Sequence, residues 1–485
     1  MFVYSAKHDA ATISGIFRKM APADCAMIGM SSAGGCIVDG TWLANEGFFL
    51  AVQGIHDPGG VYASFDTSFP DQVPKFWDAN GSHLARLREK GIEKFGQQQK
   101  SLESRVKTLV SRTVAEVFED AKAKAQAKGI PEQPGFSIVF TSGAFPDAAT
   151  EAVLDFSIGD SRFPLIGGGA WTTDDLPCTV SHSSGESMGH VQHELGIAGL
   201  LCWPSCHAAG AFCSGLKKNE STGGIITKCS GPNIIAEIDG KPAFDVYREW
   251  VGTDVFTDDD VAEALKAAKE GGALDGEITM GAGMPFFDKL AESGKPISQC
   301  GALGVALSGK YDGSELQKVA VPVSWDTETK CIATLVGVSE GQKVCLMEGA
   351  KAEVRDRTVR VAEQIVAGRG FEMDHIVGNF TFMCLLNWAL TGDDGMQSLA
   401  EDLCETLGWV PMLAMIGGPE FGNMADGIGS AGSYMTSELV FSSKHVNEEM
   451  RGLKRQLTQL SPDGNHILSR TKSTQRRDVS NTEEC

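Results

Sequence analysis

Imidazole and thiol side chains are concentrated between residues 182 and 207 of the sequence. The stretch contains His182, His190, His193, Cys202, Cys206 and His207. Imidazole nitrogen and thiolate sulfur at short spacings are ligands for zinc. However, Trp203-Pro204 separates the two cysteines, and the paired histidines lie in a Gly/Ser-rich loop. The sequence therefore favours exposed loop histidines and packed thiols, and the alternative is a metal site at His190, His193, Cys202 and Cys206.

Two stretches match the nucleophile-elbow pattern G-x-S-x-G, at 185–189 and 337–341. An elbow needs a strand before its serine and a helix after it. No strand pattern precedes the first match, and a predicted strand at 343–347 follows the second. The dinucleotide pattern at 427–432 also lacks a preceding strand, and the sequence contains neither a G-x-x-x-x-G-K-[ST] loop nor H-E-x-x-H. We therefore expect no enzymatic activity.

Small residues end three buried strands, each within a strand-helix-strand unit, at 2–35, 136–170 and 380–418. Such strands pair in parallel, and their carboxyl ends form the rim where open α/β sheets bind ligands. Backbone N–H groups there would bind a carboxylate, and a glutamate would accept from an amine. The alternative is that each glycine cluster only relieves a turn. The predicted ligand site comprises Ser31, Ser32, Gly34, Gly167, Gly168, Gly169, Gly418 and Glu420.

Further patterns predict the elements around these units. Apolar residues at helical spacing predict helices at 84–128, 261–270 and 353–367, the second capped by Asp258-Asp259-Asp260. Short apolar runs predict strands at 195–202, 224–228, 234–238, 301–307, 319–324, 334–338 and 343–347. The predicted fold class is α/β to α+β, with pseudo-repeated strand-helix-strand units forming mixed sheets flanked by helices.

Composition and charge narrow the classes of function. A net charge of -21 repels nucleic acid and anionic lipid surfaces, so we expect no nucleic-acid partner. No apolar run reaches the roughly 18 residues of a membrane span. The 13 cysteines are scattered along the chain, as is typical of buried thiols in a reducing compartment. We therefore expect a soluble, intracellular, cytoplasmic protein, or one of an organelle lumen if the start is a processed end.

The order of these motifs resembles the FIST family, the F-box and intracellular signal transduction domain. The resemblance is carried by residues 26–35 (strand and Ser/Thr-Ala-Gly turn), 164–174 (Gly-Gly-Gly-Ala segment), 235–252 (junction of the two halves), 382–384 and 417–422 (carboxyl-terminal half). It implies an amino-terminal half at 1–250 and a carboxyl-terminal half at 251–443, before a tail at 444–485. We expect neither an F-box nor a signalling output domain in the chain.

The resemblance implies a sensory domain that binds small metabolites, amino acids among them. Some members of the family bind haem, for which a histidine could be an axial ligand. Three positions depart from the family pattern: Gly35 replaces an acidic residue, Asn387 an arginine, and Pro419 separates Gly418 from Glu420. The alternative is therefore a self-associating structural or adaptor protein built on the same fold. Either function passes through a protein surface, so we predict at least a homodimer.

The tail at 444–485 has its own pattern. Val446, Met450, Leu453, Leu457 and Leu460 follow a 4-3-4-3 spacing, which predicts an amphipathic helix. Two heptads are too short for a free coiled coil, so we expect this helix to pack on a neighbouring body. The basic, polar sequence beyond it predicts a tail that is disordered in isolation. Such a tail either has no task or binds the acidic body of a neighbouring subunit.

Overall fold

The structure is a computed structural model. It describes residues 1–446 except residues 6, 23–24, 33, 45–48, 74–91, 143–144, 160–161, 171–179, 184–189, 194, 274, 296–297, 299–300, 312–313, 370 and 425–426. The predicted tail helix and basic tail therefore lie outside the described residues. In strands at 180–183 and 190–193 the structure describes the backbone only.

The described part of the chain contains eight α-helices. They are α1 (Ala10–Met20), α2 (Ile92–Ala127), α3 (Pro146–Leu154), α4 (Ala243–Val251), α5 (Asp258–Glu270), α6 (Met280–Glu292), α7 (Lys351–Arg369) and α8 (Leu385–Leu407). The helices predicted at 261–270 and 353–367 are α5 and α7, and α2 is the described part of the one predicted at 84–128. No helix in these described segments is long and apolar enough to cross a membrane.

The cap of α5 differs from the prediction. Thr257 is the N-cap residue, because its side chain accepts a hydrogen bond from the N–H of Asp260. The Asp260 carboxylate accepts from the N–H of Thr257 in return, so the two residues form a capping box. Asp258, which we expected to cap the helix, is its first residue.

Strands make up the rest of the regular structure. Those before residue 250 are β1 (Phe2–Ser5), β2 (Met27–Ser32), β3 (Cys36–Val38), β4 (Thr41–Leu43), β5 (Leu50–Val52), β6 (Val61–Ser68), β7 (Phe136–Thr141), β8 (Leu165–Gly169), β9 (Val180–Ser183), β10 (His190–His193), β11 (Gly196–Trp203), β12 (Cys206–Ser214), β13 (Lys217–Lys218), β14 (Gly224–Gly231), β15 (Ile234–Ile238) and β16 (Lys241–Pro242). Those after it are β17 (Glu277–Thr279), β18 (Leu303–Tyr311), β19 (Ser314–Ala320), β20 (Pro322–Asp326), β21 (Ile332–Thr334), β22 (Lys343–Glu348), β23 (Ile376–Cys384), β24 (Met412–Gly417), β25 (Glu420–Asn423), β26 (Gly429–Gly432) and β27 (Met435–His445).

The strands form four sheets in the described structure. Sheet 1 has the order β10-β9-β2-β1-β5, sheet 2 the order β26-β25-β8-β7-β11-β6, and sheet 3 the order β12-β27-β23-β24-β3-β4. Sheet 4 contains ten strands, with β17-β20-β21-β15-β14-β22-β18-β19 as its main path. Mixed sheets flanked by helices confirm the predicted fold class.

The three predicted strand-helix-strand units are confirmed. Each supplies one parallel pair: β1 with β2 in sheet 1, β7 with β8 in sheet 2, and β23 with β24 in sheet 3. The intervening helices are α1, α3 and α8. Both faces of strands in such parallel pairs are buried, so their sequences are continuous apolar runs without alternating polar residues.

Strands from the two predicted halves share sheets. In sheet 3, β3 pairs with β24 and β12 pairs with β27, so strands before residue 250 flank the carboxyl-terminal parallel pair. In sheet 2, β25 pairs with β8, which extends the amino-terminal parallel pair with a carboxyl-terminal strand. The boundary at residue 250 stays a prediction about sequence organisation, because the hydrogen-bonded sheets cross it.

A common core lies between sheets 1, 2 and 3. On β7, Phe136, Ile138 and Phe140 point into this core, and on β23 Phe380 and Phe382 do so. The ring of Phe140 lies 6.4 Å from that of Phe380 and 6.3 Å from that of Phe382, centroid to centroid. The opposite face of β23 packs under α7 and α8.

Two predicted strands of sheet 4 do not form one strand over their whole predicted length. The run at 319–324 is divided between β19 and β20, where Pro322 has no N–H to continue the ladder. The run at 334–338 leaves the sheet after Thr334. There the N–H of Gly337 donates to the Asp147 carboxylate over 3.0 Å, and the N–H of Val338 donates to the Pro232 carbonyl. The backbone N–H groups of these two residues therefore donate to loop and side-chain acceptors and not to a neighbouring strand.

Candidate functional site

The carboxyl ends of β2, β8 and β24 meet at one place. The Ser32 hydroxyl donates to the Ile416 carbonyl over 2.7 Å. The N–H of Gly418 donates to the Gly169 carbonyl over 3.1 Å, and the N–H of Gly169 donates to the Pro419 carbonyl over 2.8 Å. The structure thus brings together the three predicted groups of rim residues.

The backbone N–H groups expected to bind a carboxylate are already used within the protein. Besides those of Gly169 and Gly418, the N–H of Gly34 donates to the Ser32 hydroxyl at 3.1 Å and that of Gly167 to the Ser437 hydroxyl at 3.3 Å. Each of the eight predicted residues, Ser31 included, is buried. A ligand carboxylate at these N–H groups would have to displace hydrogen bonds within the protein, so the anion site stays a prediction.

The rim glycines allow close packing of the sheets. A Cβ atom on Gly168 would lie 2.1 Å from the Phe382 ring, and one on Gly34 would lie 2.6 Å from the Ile416 side chain. Gly167 has a φ of 147°, and its Cβ would lie 1.8 Å from the Val139 carbonyl oxygen. Packing alone accounts for glycine at these three positions.

Glu420 is the predicted residue with free hydrogen-bonding capacity. Its Oε2 atom accepts from the N–H of Met435 over 2.9 Å, and its buried Oε1 atom has no hydrogen-bond partner among the described residues. Oε1 faces the Gly418 turn, where a Cβ atom would lie 3.6 Å from it. Burial raises the pKa of Glu420 to about 8, although the Met435 N–H and the charge of Arg357 act in the opposite direction.

Arg357 on α7 is a fully buried cation beside this carboxyl. Its Nε donates to the Thr436 hydroxyl over 3.0 Å, and its Nη2 donates to the Asn387 side-chain oxygen over 2.7 Å. Arg357 Nη1 and Asn387 Nδ2 are buried and have no partner in the described part of the chain. Burial lowers the pKa of Arg357, and the negative charge of Glu420 opposes that shift. We call Arg357, Asn387 and Glu420 the buried polar triad.

The triad explains one departure from the family pattern. Asn387 stands where the resemblance places an arginine, and the guanidinium group of Arg357 lies hydrogen-bonded to it. Burial raises the pKa of the Cys384 thiol at the end of β23 well above its usual value, and the charge of Glu420 adds to this rise. A guanidinium group is thus present beside this strand end, supplied by another helix.

Arg357 was not among the sequence-predicted site residues. It lies on the buried side of α7, between Val354 and Val361, at the spacing of the apolar stripe. A charged residue at such a position is itself a signal, because an arginine is rarely buried without partners. Helix α7 therefore places the cation against the face of sheet 3 that carries Thr436.

A second buried carboxyl lies on the same strand as Thr436. Glu438 accepts from the Asn379 amide over 2.6 Å, and Asn379 accepts from the Thr381 hydroxyl over 2.8 Å. Burial raises the pKa of Glu438 to about 8. Glu420 on β25 of sheet 2 and Glu438 on β27 of sheet 3 are therefore two carboxyls whose buried surroundings favour the protonated form at neutral pH.

The predicted alternative metal site is divided between elements. His190 and His193 lie on β10, where the side chains are not described, whereas Cys202 is fully buried on β11. Burial raises the pKa of Cys202 well above its usual value. Cys206 begins β12 and is half-buried. Among the described residues no three His, Cys, Asp or Glu side chains are arranged to hold a metal ion.

Comparison with known proteins supports the resemblance. Residues 1–241 match the family model of the FIST N domain. The chain carries a FIST N domain. The chain has no match among the curated proteins. The matched segment contains Ser31, Ser32, Gly34 and the three glycines of β8, whereas the buried polar triad lies after it in the sequence.

Proposed function

We propose that this FIST protein is an intracellular sensor that binds a small zwitterionic metabolite, such as an amino acid, at the buried polar triad without turning it over. One observation carries the proposal. Arg357 Nη1 and Asn387 Nδ2 are donors, Glu420 Oε1 is an acceptor, and all three are buried without partners in the described structure. A ligand with one carboxylate and one ammonium group would satisfy them.

The three unsatisfied atoms destabilise the ligand-free protein. Leaving a buried polar atom without a partner costs about 1–3 kcal/mol. A carboxylate accepting from Arg357 would form a charge-assisted hydrogen bond, and an ammonium group donating to Glu420 would form another. Binding would therefore remove a cost that the free protein bears, which favours the ligand-bound form.

A thermal-shift screen of amino acids and small carboxylic acids, combined with native mass spectrometry, tests the proposal. A ligand at 100 times its Kd stabilises a protein by about 2.7 kcal/mol, which gives a measurable rise in Tm. Glu420→Gln should abolish the response to amino acids but retain part of the response to simple carboxylates. Arg357→Met should abolish both responses. Arg360→Met is the matched control, because Arg360 lies on the same helix with an exposed side chain.

The outcomes separate binding from a purely structural role. Ligand-dependent stabilisation of the wild type and of Arg360→Met, but not of Arg357→Met, supports the proposal. It is refuted if no compound stabilises the wild type and the purified protein retains no ligand. It is equally refuted if an experimental structure places ordered waters on all three atoms in the presence of every candidate ligand.

A second candidate function is that of a self-associating adaptor. Leu50 and Val52 on β5 are exposed, and β5 is the last strand of sheet 1 in the described structure. An outer strand with exposed apolar side chains is a surface on which a second copy can add. Light scattering at tens of micromolar should report a dimer for the wild type and a monomer for Leu50→Lys with Val52→Lys. A wild-type monomer would contradict the homodimer prediction.

A further inference from the structure

A cleft of about 560 Å³, lined by none of the triad residues, opens beside the first residue of β12. We call it the Cys206 cleft. Its lining is mainly apolar and includes Ile55, Tyr62, Pro204, Val377 and Phe441. Cys206 itself lines the cleft and is half-buried.

The apolar surface continues outside the cleft. Ile55 and Val377 line it and are 40% and 48% exposed. Met373 and Trp409 are 44% and 63% exposed, and the Met373 methyl carbon lies beside Gly408, the residue before Trp409, where a Cβ atom would be 3.6 Å from it. These are four of the exposed large apolar side chains of the described structure, and exposed apolar surface of this kind marks an interaction site.

The chain leaves the described structure at the wall of this cleft. His445, the last residue of β27, lines the cleft, and the N–H of Val446 donates to the Ser205 carbonyl over 2.9 Å. Ser443 is hydrogen-bonded to His375 over 3.1 Å between its hydroxyl and the imidazole Nδ1. Lys444 pairs with Glu372 over 3.2 Å. These contacts fix the point from which the next residues start.

We propose that residues 447–460 form an amphipathic helix that folds back and covers the Cys206 cleft of the same chain. Met450, Leu453, Leu457 and Leu460 continue the apolar stripe that begins at Val446, so they lie on one side of such a helix. The 14 residues span about 21 Å as a helix. An isolated helix of this length is marginal in water, so it needs an apolar surface to pack on.

The same chain is the favoured occupant because the segment is already attached at the wall of the cleft. A covalently linked segment that starts at the surface it binds has a high effective concentration there, so no second copy is needed. The proposal is independent of ligand binding, because neither the cleft nor the segment contains a residue of the buried polar triad.

Alkylation of Cys206 under native conditions tests this proposal, with each cysteine followed separately by peptide mass spectrometry. In the full chain the docked helix should slow the reaction of Cys206 roughly tenfold relative to a chain that ends at Val446, a docking equilibrium of about 1.4 kcal/mol. The fully buried Cys202 serves as an internal control for unfolding. It should react slowly in both proteins.

Two triple variants test whether the apolar stripe makes the contact. Met450→Ser with Leu453→Ser and Leu457→Ser should react as fast as the truncated chain. Glu448→Ser, Arg455→Ser and Gln459→Ser together change the opposite side of the same helix without changing the net charge, and they should leave Cys206 protected.

Three results would overturn the proposal. Equal Cys206 rates in the full and truncated chains would show that the segment does not cover the cleft. Protection that disappears on dilution would mean that a second copy supplies the helix. Protection that persists after truncation and is removed by extensive dialysis would mean that a small molecule fills the cleft.

Discussion

Replacement of Glu438 by glutamine should weaken the dependence of stability on pH. The ordinary pKa of a glutamate is 4.5, and burial raises that of Glu438 to about 8 in the folded protein. Between these values the folded protein keeps a proton that the unfolded chain has released. The stabilisation is therefore fully present below pH 4.5 and is lost as the pH rises toward about 8.

The magnitude follows from the width of this window. One such carboxyl lowers the free energy of unfolding by about 1.4 kcal/mol for each unit of pH increase within it. From pH 5.5 to 7.5, Glu438 alone should account for about 2.7 kcal/mol, and Glu420 and Glu438 together for about 5 kcal/mol. Glu438→Gln removes one of the two groups and keeps an oxygen to accept from Asn379, so the slope should fall by about half.

Urea unfolding of the ligand-free protein at pH 5.5, 6.5 and 7.5 measures this slope. Linear extrapolation to water gives the free energy of unfolding at each pH. If the new amide group destabilises the protein by the same amount at every pH, this cost does not change the slope of the unfolding free energy against pH. Glu116→Gln, which changes an exposed carboxylate on α2, should behave as the wild type. Identical slopes for the wild type and Glu438→Gln would refute the reasoning.

Two further predictions concern the site. If the ligand carries an ammonium group, its Kd should fall about tenfold per unit of pH increase between 6 and 7.5, because Glu420 has to release its proton before it can accept from the ammonium group. Calorimetry in buffers of different ionisation enthalpy should then detect the release of about one proton on binding. A Kd independent of pH would exclude Glu420 as the amine's partner. Gly168→Val should destabilise the protein by about 1–3 kcal/mol or more, since its side chain would overlap the Phe382 ring. Urea unfolding measures this loss, and unchanged stability would contradict the packing argument.

The sequence predicts the three parallel pairs well because the information for each pair is local. Each pair has two apolar runs separated by one helix, so the pattern in about 40 residues contains both strands and their connection. The same reasoning predicts that the rim residues meet, and the structure confirms this for Ser32, Gly169 and Gly418. The same reasoning does not predict how closely the sheets pack at the rim. This close packing brings the backbone N–H groups into hydrogen bonds within the protein.

The elements that the sequence analysis missed depend on contacts between distant residues. Strands β12 and β27 have mixed composition, and they become regular because they pair with each other and with β23. Arg357 is 30 residues from Asn387 and 63 from Glu420 in the sequence, so no local motif joins the triad. Only the packing of α7 on sheet 3 places these side chains together. Sequence patterns therefore supplied Glu420 and not its cationic neighbour.

The exchange of strands between the two halves has a consequence for biosynthesis. Strand β8 ends at Gly169, and its partner β25 begins at Glu420. At a synthesis rate of roughly 5–20 residues per second, β25 leaves the ribosome about 10–50 s after β8. During that interval one edge of β8 lacks its final partner, and an open strand edge is a template for pairing with other chains. This edge of β8 therefore stays without its native partner until residues 420–423, close to the end of the 485-residue chain, have been made.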